Sequence, residues 1–531
     1  MKYFNKILLA VALLVSIAAQ AQERYLEPVF NEVTVTRDLT YGVNATVLYA
    51  TVVGQAVPEE LKFDFFEPTG DDVTQRPLVL YFITGNFLPS VLNQTTSGTR
   101  GDSINVEIAT RLAKMGYAVA ICSYRLGWNP TAQTQPERAL GLIQAAYRGV
   151  QDARTAIRYF KRSVAEQGNP FAVDTSRIVL WGEGTGGYVT LATATLDKFS
   201  EIVTTTNPAG KFLTDLDGNP ATLEPMVNPF ANGDIYGTSV GILPVNAPPL
   251  PAGDTLCYPN HAGYSSNFQL CVNMGGALGD ISWLEAGDPP MISYHVPTDP
   301  NAPYVDAVLI VPTTGDPIVQ VQGSFAVIEK ANMLGNNAAF ADISDDWTTA
   351  AVAASATAGH PYKEGLYPFN RRTNAFNRQE GSPWSWWNAA YWDAIPHPSG
   401  AGSYHFIGLL GNATMSAAQG RLYTDTIMGY FAPRAYAALN LTSSTQELIA
   451  GEQVQLKAFP NPAGEEILIQ TAAEFPMQDI RLFDMNGRQV QAHTGINNNQ
   501  HRVRRGDLPN GVYLAKIRLE RGVVTQKIMF R

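Results

Sequence analysis

Three apolar runs, spaced by stretches of helical periodicity, set the pattern of the first half of the chain. Pro77 to Ile83, Ala118 to Ser123 and Ile178 to Trp181 are almost uninterrupted hydrophobic segments, the pattern of strands buried on both faces. Val106 to Met115 shows helical spacing, and Ala139 to Ser163 predicts a long amphipathic helix ending near Lys161 and Arg162. Strand and helix therefore alternate, and parallel neighbours need such crossovers, so the pattern predicts an α/β domain with a doubly wound, mainly parallel sheet. Upstream, Arg24 to about Phe66 alternates polar and apolar residues, as in VTVTRDLTYGV and LKFDFF, which predicts antiparallel strands at the sheet edge. Pro68 to Arg76 is a turn-rich break.

The third run leads into RIVLWGEGTGGY, residues Arg177 to Tyr188. A buried strand followed by closely spaced glycines outlines a nucleophile elbow, the sharp strand-to-helix turn that in G-x-S-x-G lifts a serine oxygen above the sheet. The serine position is Gly184. Shifting the frame by one would make Thr185 the nucleophile but would put Glu183 where a glycine is needed. A plain reading also stands beside this one, in which the glycines only make a tight turn.

From Ile202 to Gly276 the composition shifts to Pro, Gly, Asn and Asp without periodicity, which predicts an insertion arching over the sheet. Within it TDLDGNP resembles the start of a calcium loop, but Gly218 comes two positions early and Pro220 stands in its place, so a plain turn is expected and no metal. Pro290 to His295 is a predicted strand, Gly323 to Leu334 and Arg421 to Leu439 are predicted helices, and residues 442–453 read as a polar linker. From Val454 onward KAFPNPAGEEILIQ, QDIRLFDMNGRQVQ, LPNGVYLAKIRL and VTQKIMFR form short strands with turn signals at Asn486-Gly487 and Asn510-Gly511, predicting a small C-terminal β-sandwich over 454–531.

Composition narrows the function classes. With 531 residues, 45% hydrophobic and 16% charged, the chain suits one large globular domain plus a smaller module. A formal net charge of -10 disfavours a nucleic-acid partner, and Arg502, Arg504 and Arg505 read as a solvated face. Lys2, Lys6, an apolar run from Ile7 to Ala19 and Ala19-Gln20-Ala21 predict a signal peptide over 1–21, with mature protein from Gln22. No later stretch approaches about 20 apolar residues, so no membrane span is expected. In an oxidising compartment Cys257 and Cys271 are expected to pair, while Cys122 sits in an apolar strand as a small hydrophobe.

Two resemblances add to this. Pro460-Asn461-Pro462, Asp484-Met485-Asn486-Gly487, Leu508-Pro509-Asn510-Gly511-Val512-Tyr513 and the terminal Lys527-Ile528-Met529-Phe530-Arg531 resemble the C-terminal sorting domain of the type IX (Por) secretion system. The resemblance implies passage across an outer membrane by that machinery, then release or surface anchoring. RPLVLYFITGNF, AKMGYAVAICSYRLGWNP, QDARTAIRYFKR and the elbow resemble α/β-hydrolases of the carboxylesterase and lipase-like group over about Tyr41 to Leu439, which implies a domain over 22–441 and ester hydrolysis without a cofactor.

The same resemblance directs the search for a triad in the order Ser, Asp, His. MISYHVPTDPNAPY points to Asp299 as the acid, against the plain reading of an Asp-Pro turn, with Asp280 and Asp306 as weaker candidates. His360 in TAGHPYKEGLYPF is the expected base; His397 and His405, the latter expected on a strand, are alternatives, and His295 is expected to shape the acid's loop. Thr84-Gly85-Asn86 stands where the family has its His-Gly-Gly stretch, so Gly85, Asn86 and the Thr185 amide are the expected oxyanion donors. Glycine offers no atom that a histidine can deprotonate, which predicts that ester hydrolysis is lost or very weak and that the cavity keeps a small ester or apolar ligand. The competing expectations are an esterase using Thr185 or another hydroxyl, such as Ser265 or Ser266, and a non-catalytic surface binding or adhesion protein. SPWSWWNAAYW places Trp384, Trp386, Trp387 and Trp392 together; a helix packed into the core is the plainer expectation, a pocket wall the other.

Overall fold

The computed structural model describes residues 23–441 and 451–531 apart from 217, 218, 220, 311–314, 316, 372, 486–488, 507, 520 and 521. The expected signal peptide, most of the linker and the turns at Gly218 and Asn486-Gly487 lie outside the described residues. The chain divides into two compact units, Met1–Leu441 and Thr442–Arg531.

The first unit is built on one eight-stranded sheet. Its strands are β1 (Val33–Thr46), β2 (Val57–Pro68), β3 (Arg76–Phe82), β4 (Ala118–Cys122), β5 (Val173–Glu183), β6 (Leu270–Met274), β7 (Met291–His295) and β8 (Leu366–Pro368). They run in the order β1-β2-β4-β3-β5-β6-β7-β8. β1 and β2 are antiparallel to each other and β2 is antiparallel to β4, while the neighbours from β4 to β8 are parallel. Every residue of β3, β4, β6 and β7 is buried, which is why these strands read as apolar runs instead of alternating. Tyr81, Trp181 and Tyr294 stack in a row across the sheet, with ring centroids 6.2 and 6.3 Å apart.

Two strands depart from the expectation. β6 lies inside the stretch assigned to the insertion, because its five residues follow a long polar, glycine-rich segment that hides so short a strand. β8 has only three residues and carries no periodicity at all.

The main helices are α1 (Ser103–Lys114), α2 (Gln135–Glu166), α3 (Thr185–Thr195), α4 (Ser324–Met333), α5 (Asp346–Thr357), α6 (Tyr404–Gly411) and α7 (Ala417–Ala438). α2 opens on a capping box between Thr134 and Glu137, which satisfies otherwise orphaned N–H groups in the first turn. His405 lies in α6, not on a strand; its neighbours Phe406, Ile407, Leu409 and Leu410 are compatible with either period.

The buried polar face of α2 explains how an irregular segment of this length stays ordered. Gln151 Nε2 donates to the carbonyls of Asn232 and Asp234, both at 2.8 Å. Arg154 donates to Ile235 and Leu196, and Arg158 to Tyr236 and Asn260. Behind them Arg125 and Asp152, both fully buried, form an ion pair at 2.9 Å, with Arg125 also reaching the Ala45 and Leu256 carbonyls. Carbonyls that have no strand partner are thus met by side chains of one helix, as burial requires.

The expected disulfide is absent: Cys122, Cys257 and Cys271 are all free thiols. Cys271 is a central residue of β6, paired in register with Leu180 and Met291. Cys257 lies by contrast beside Asn44 and Gly233 at the β1 side. Sheet pairing fixes the one thiol and the insertion the other, and burial raises the pKa of both.

In the second unit, β9 (Lys457–Phe459), β10 (Glu466–Gln470) and β13 (Gln500–Arg504) form one antiparallel sheet, and β11 (Met477–Phe483), β12 (Gln489–Asn498), β14 (Gly511–Leu519) and β15 (Gly522–Phe530) form another. Ile467, Ile469, Ile480, Leu482 and Ile517 share one apolar core. Arg502 pairs with Glu466 and Arg504 is 84% exposed, which agrees with a solvated face.

Candidate active site

β5 ends at Glu183 and α3 starts at Thr185, leaving Gly184 alone to make the turn with φ 53° and ψ -117°. Side chains rarely adopt that conformation, and an elbow holds its nucleophile in this kind of strain. The Gly184 N–H donates to Met274 O at 2.8 Å, tying the turn to β6. A Cβ on Gly182 would overlap the Gly186 carbonyl, and one on Gly186 would overlap the Phe82 carbonyl. Gly182 is therefore demanded by the tightness of the turn itself, and Gly186 by its close packing on β3.

Gly184 differs from them. A Cβ there would overlap the hydroxyl of Thr84 and stand 3.0 Å from Thr84 Cβ. The elbow thus aims at a point that Thr84, in the loop after β3, already fills. Gly85 and Asn86, the expected oxyanion residues, have φ of 136° and 53°. Asn86 Nδ2 donates to Asn93 Oδ1 at 2.7 Å, and its carbonyl accepts Trp128 Nε1 at 2.8 Å. Both residues line the cavity above the elbow, as do Gly184 and Thr185.

The hydroxyls offered as substitutes are otherwise engaged. Tyr124 OH donates to Ile83 O at 2.9 Å and lies 3.0 Å from Thr185 Oγ1; having one proton, it must accept from Thr185. Ser265 accepts from Lys161 Nζ at 2.8 Å on the exposed surface, and neither Ser265 nor Ser266 lines the cavity.

Asp299 does line it. Its carboxylate accepts the backbone N–H groups of Asn301 at 2.7 Å and Ala302 at 3.3 Å, the geometry of a turn aspartate, and burial pushes its pKa up to about 6. The loop is pinned from below by His295, as expected. His295 Nε2 meets Ala302 O at 3.1 Å and Nδ1 meets Ser324 Oγ at 2.7 Å. A carbonyl can only accept, so Nε2 carries the proton, and burial holds this imidazole neutral with a pKa of about 4.

The structure does not bring His360 to this site. It precedes β8, packs against Phe325 and Tyr304 at centroid distances of 4.4 and 5.4 Å, and does not line the cavity. The residue that faces Asp299 from the loop beyond β8 is Gly381: a Cβ there would lie 2.8 Å from Asp299 Cγ and 2.9 Å from Oδ2. A glycine in a polar loop offers no signal in the sequence. His397 is held by Gln94 O and Ser399, and His405 accepts from Trp387 Nε1 at 3.1 Å. Asp280 forms a buried ion pair with Lys211 at 2.9 Å, and Asp306 accepts from Asn207; both brace the insertion.

The cavity has a volume of about 490 Å³. Its walls come from the loop after β3, from α2 and α3, from Phe212, Val227 and Ile235 of the insertion, and from the segment before α6. The tryptophans divide between the two expectations. Trp384 is fully buried and donates to Glu183 Oε1 at 2.9 Å, while Trp386 and Trp387 line the cavity from an irregular segment.

Among the described residues no Lys, Arg or His lines the cavity, whereas Asp102, Glu183 and Asp299 do. Asp102 is satisfied by the N–H groups of Gly98 and Thr99 and by the Thr99 hydroxyl. Glu183 is 2% exposed, accepts from Trp384 and Ser385 through Oε1 only, and leaves Oε2 without a partner. Burial pushes its pKa up to about 7, with the nearby Asp102 charge acting in the same direction. Among the described residues no group of acidic, His or Cys side chains is arranged to hold a metal ion, and no helix is long and apolar enough to cross a membrane.

Residues 457–531 match the secretion system C-terminal sorting domain. The chain is thus marked for type IX secretion to the cell surface or exterior. No match was found among curated proteins. Among solved structures, the chain is similar to esterase 2 from the planctomycete Thermogutta terrifontis. The native form is 15% identical, with a TM-score of 0.29, covering 68% of this chain and 88% of that one. The propionate-bound form is 14% identical, TM-score 0.29, covering 64% and 84%, and the form phosphorylated by paraoxon is 15% identical, TM-score 0.29, covering 65% and 84%. The fold itself is read from the strand order and the elbow.

Proposed function

We propose that this chain is an exported α/β-hydrolase-fold protein that has lost serine ester hydrolysis and uses its cavity to hold a small, largely apolar ligand. In this reading the sheet is doubly wound, with α1 and α7 on one face and α2 and α3 on the other, and the two sheets of the sorting tail close a sandwich. The observation that carries the proposal is the content of the two triad positions. Thr84 fills the point at which the elbow aims, Gly381 stands against Asp299, and among the described residues no histidine lines the cavity. Acyl transfer needs a nucleophile oxygen and a base within hydrogen-bond reach of it, and neither partner is supplied. Binding and oxyanion donors alone leave roughly 10³–10⁴-fold acceleration over water, far below an intact triad.

An active esterase working through Thr185 is the second reading. It is weakened by the hydrogen bond that commits the Thr185 proton to Tyr124, a phenol whose pKa burial raises.

The test is a fluorophosphonate probe and p-nitrophenyl butyrate turnover, run on the full chain and on Gly184→Ser. Neither protein is expected to label or turn over, since the new hydroxyl meets Thr84 and finds no base. Labelling and turnover by the unmodified protein would overturn the proposal.

A further inference from the structure

One hydroxyl stands uncommitted at the point toward which the elbow aims. Thr84 Oγ1 lies where a side chain on Gly184 would begin, and Thr84 is partly exposed and lines the cavity. The polar side chains beside it in the loop and on α3 are already paired: the Thr185 hydroxyl with Tyr124, and Asn86 Nδ2 with Asn93. Among the described residues the Thr84 hydroxyl has no hydrogen-bond partner. Glycine at position 184 therefore has two effects. It removes a nucleophile, and it leaves room for a hydroxyl carried by the loop after β3.

We propose that the cavity selects an uncharged aliphatic molecule carrying one oxygen function, a hydroxyl or a carbonyl, and that the Thr84 hydroxyl hydrogen-bonds that oxygen. The proposal rests on the reading of the cavity as a ligand site, and it names the class of ligand and the residue that recognises it. A hydroxyl open to a cavity is hydrated while the cavity holds solvent. A ligand without a polar atom that displaces this water leaves the hydroxyl unpaired and loses affinity, whereas a ligand oxygen restores the bond. A threonine hydroxyl suits both functions, because it donates to a carbonyl and either donates to or accepts from an alcohol.

The remaining walls set the body and the charge. Leu142, Ile143 and Val150 of α2, with Ile202, Val319 and Val321, give the cavity an aliphatic lining, and its volume of about 490 Å³ suits a small molecule. A charged head group would have to leave water for these walls. An anion would in addition meet no cation, since among the described residues no Lys, Arg or His lines the cavity. The carboxylates of Asp299 and Asp102 already have donors in the N–H groups of Asn301 and Ala302 and of Gly98 and Thr99.

Titration of the full chain with 1-octanol, 2-octanone, 1-chlorooctane and octanoate tests this, followed by the fluorescence of Trp128, Trp386 and Trp387 in the cavity wall. The alcohol or the ketone, or both, should bind at least about threefold tighter than the chloride, and octanoate not measurably; which of the two gains identifies the oxygen function. Thr84→Val keeps the branched shape without the hydroxyl and should bring the alcohol and the ketone down to the affinity of the chloride, while Thr84→Ser should preserve the preference. Gly184→Ala keeps Thr84 but claims the space of its hydroxyl, so it should weaken the preference as well, and it stands in for Thr84→Val if that variant does not fold. Equal binding of alcohol, ketone and chloride, a preference that survives Thr84→Val, octanoate binding as tightly as the alcohol, or no binding by any of the four would overturn the proposal. Turnover of p-nitrophenyl butyrate in parallel would instead sink the non-catalytic reading, so the two failures are distinguishable.

Discussion

Replacing Glu183 by glutamine should change how the first unit's stability depends on pH. In the folded chain this carboxyl has a pKa of about 7, against 4.5 when unperturbed. Below about pH 4.5 it is protonated in both folded and unfolded chains and contributes no pH dependence. Between 4.5 and 7 the unfolded chain releases its proton while the folded chain keeps it, so stability falls as pH rises. Above about 7 the loss is complete. A shift of about 2.5 units at 1.36 kcal/mol each corresponds to about 3 kcal/mol. Glutamine cannot titrate, so the stability of Glu183→Gln relative to the unmodified chain should rise by up to about 3 kcal/mol from pH 4.5 to pH 8.

Two complications cancel. Asp299 titrates in the same range but is present in both proteins, and an unmet amide proton on glutamine shifts the comparison by a constant. Urea unfolding followed by tryptophan fluorescence is the assay, because all eight tryptophans, Trp128 to Trp392, lie in the first unit. A difference between the two proteins that stays flat from pH 4.5 to 8 would refute the argument that an uncompensated carboxylate is buried there.

Two further outcomes follow from the interior. Asp152→Asn leaves the fully buried Arg125 guanidinium without its counter-charge, and should cost about 3 kcal/mol in urea unfolding; a loss below about 1 kcal/mol would show that the Gln151, Ala45 and Leu256 contacts suffice. Thiol titration in denaturant without reductant should find three reactive cysteines per chain, whereas a single one would restore the Cys257–Cys271 pairing.

The sheet was legible wherever burial on both faces produced an apolar run, which is why β3, β4 and β5 and the helices between them follow the sequence pattern closely. β6 and β8 escaped because five and three residues are too few to show a period against polar surroundings. The elbow was legible from its glycine spacing, although only Gly182 answers to its near neighbours; Gly186 answers to Phe82 on β3. The rest of the site was not, because it depends on what meets across the sheet. Chain order points to His360, but aromatic packing with Tyr304 and Phe325 holds it elsewhere. Gly381 and the Thr84 hydroxyl become informative only once Asp299 and Gly184 are seen beside them. Glu183 reads as the variable position of a motif, and only its unpaired oxygen gives it weight.

The carbonyl contacts made by α2 carry a consequence for how ligands meet this protein. Phe212, Val227 and Ile235 form part of the cavity wall, and the backbone around Ile235 is fastened to Gln151, Arg154 and Arg158 by hydrogen bonds that exist before any ligand arrives. The Ile235 side of the wall is therefore held against its supporting helix. An incoming molecule finds a preformed space, so little of its binding energy is consumed in ordering the chain, and selection among candidates falls to shape and charge rather than to closure around them.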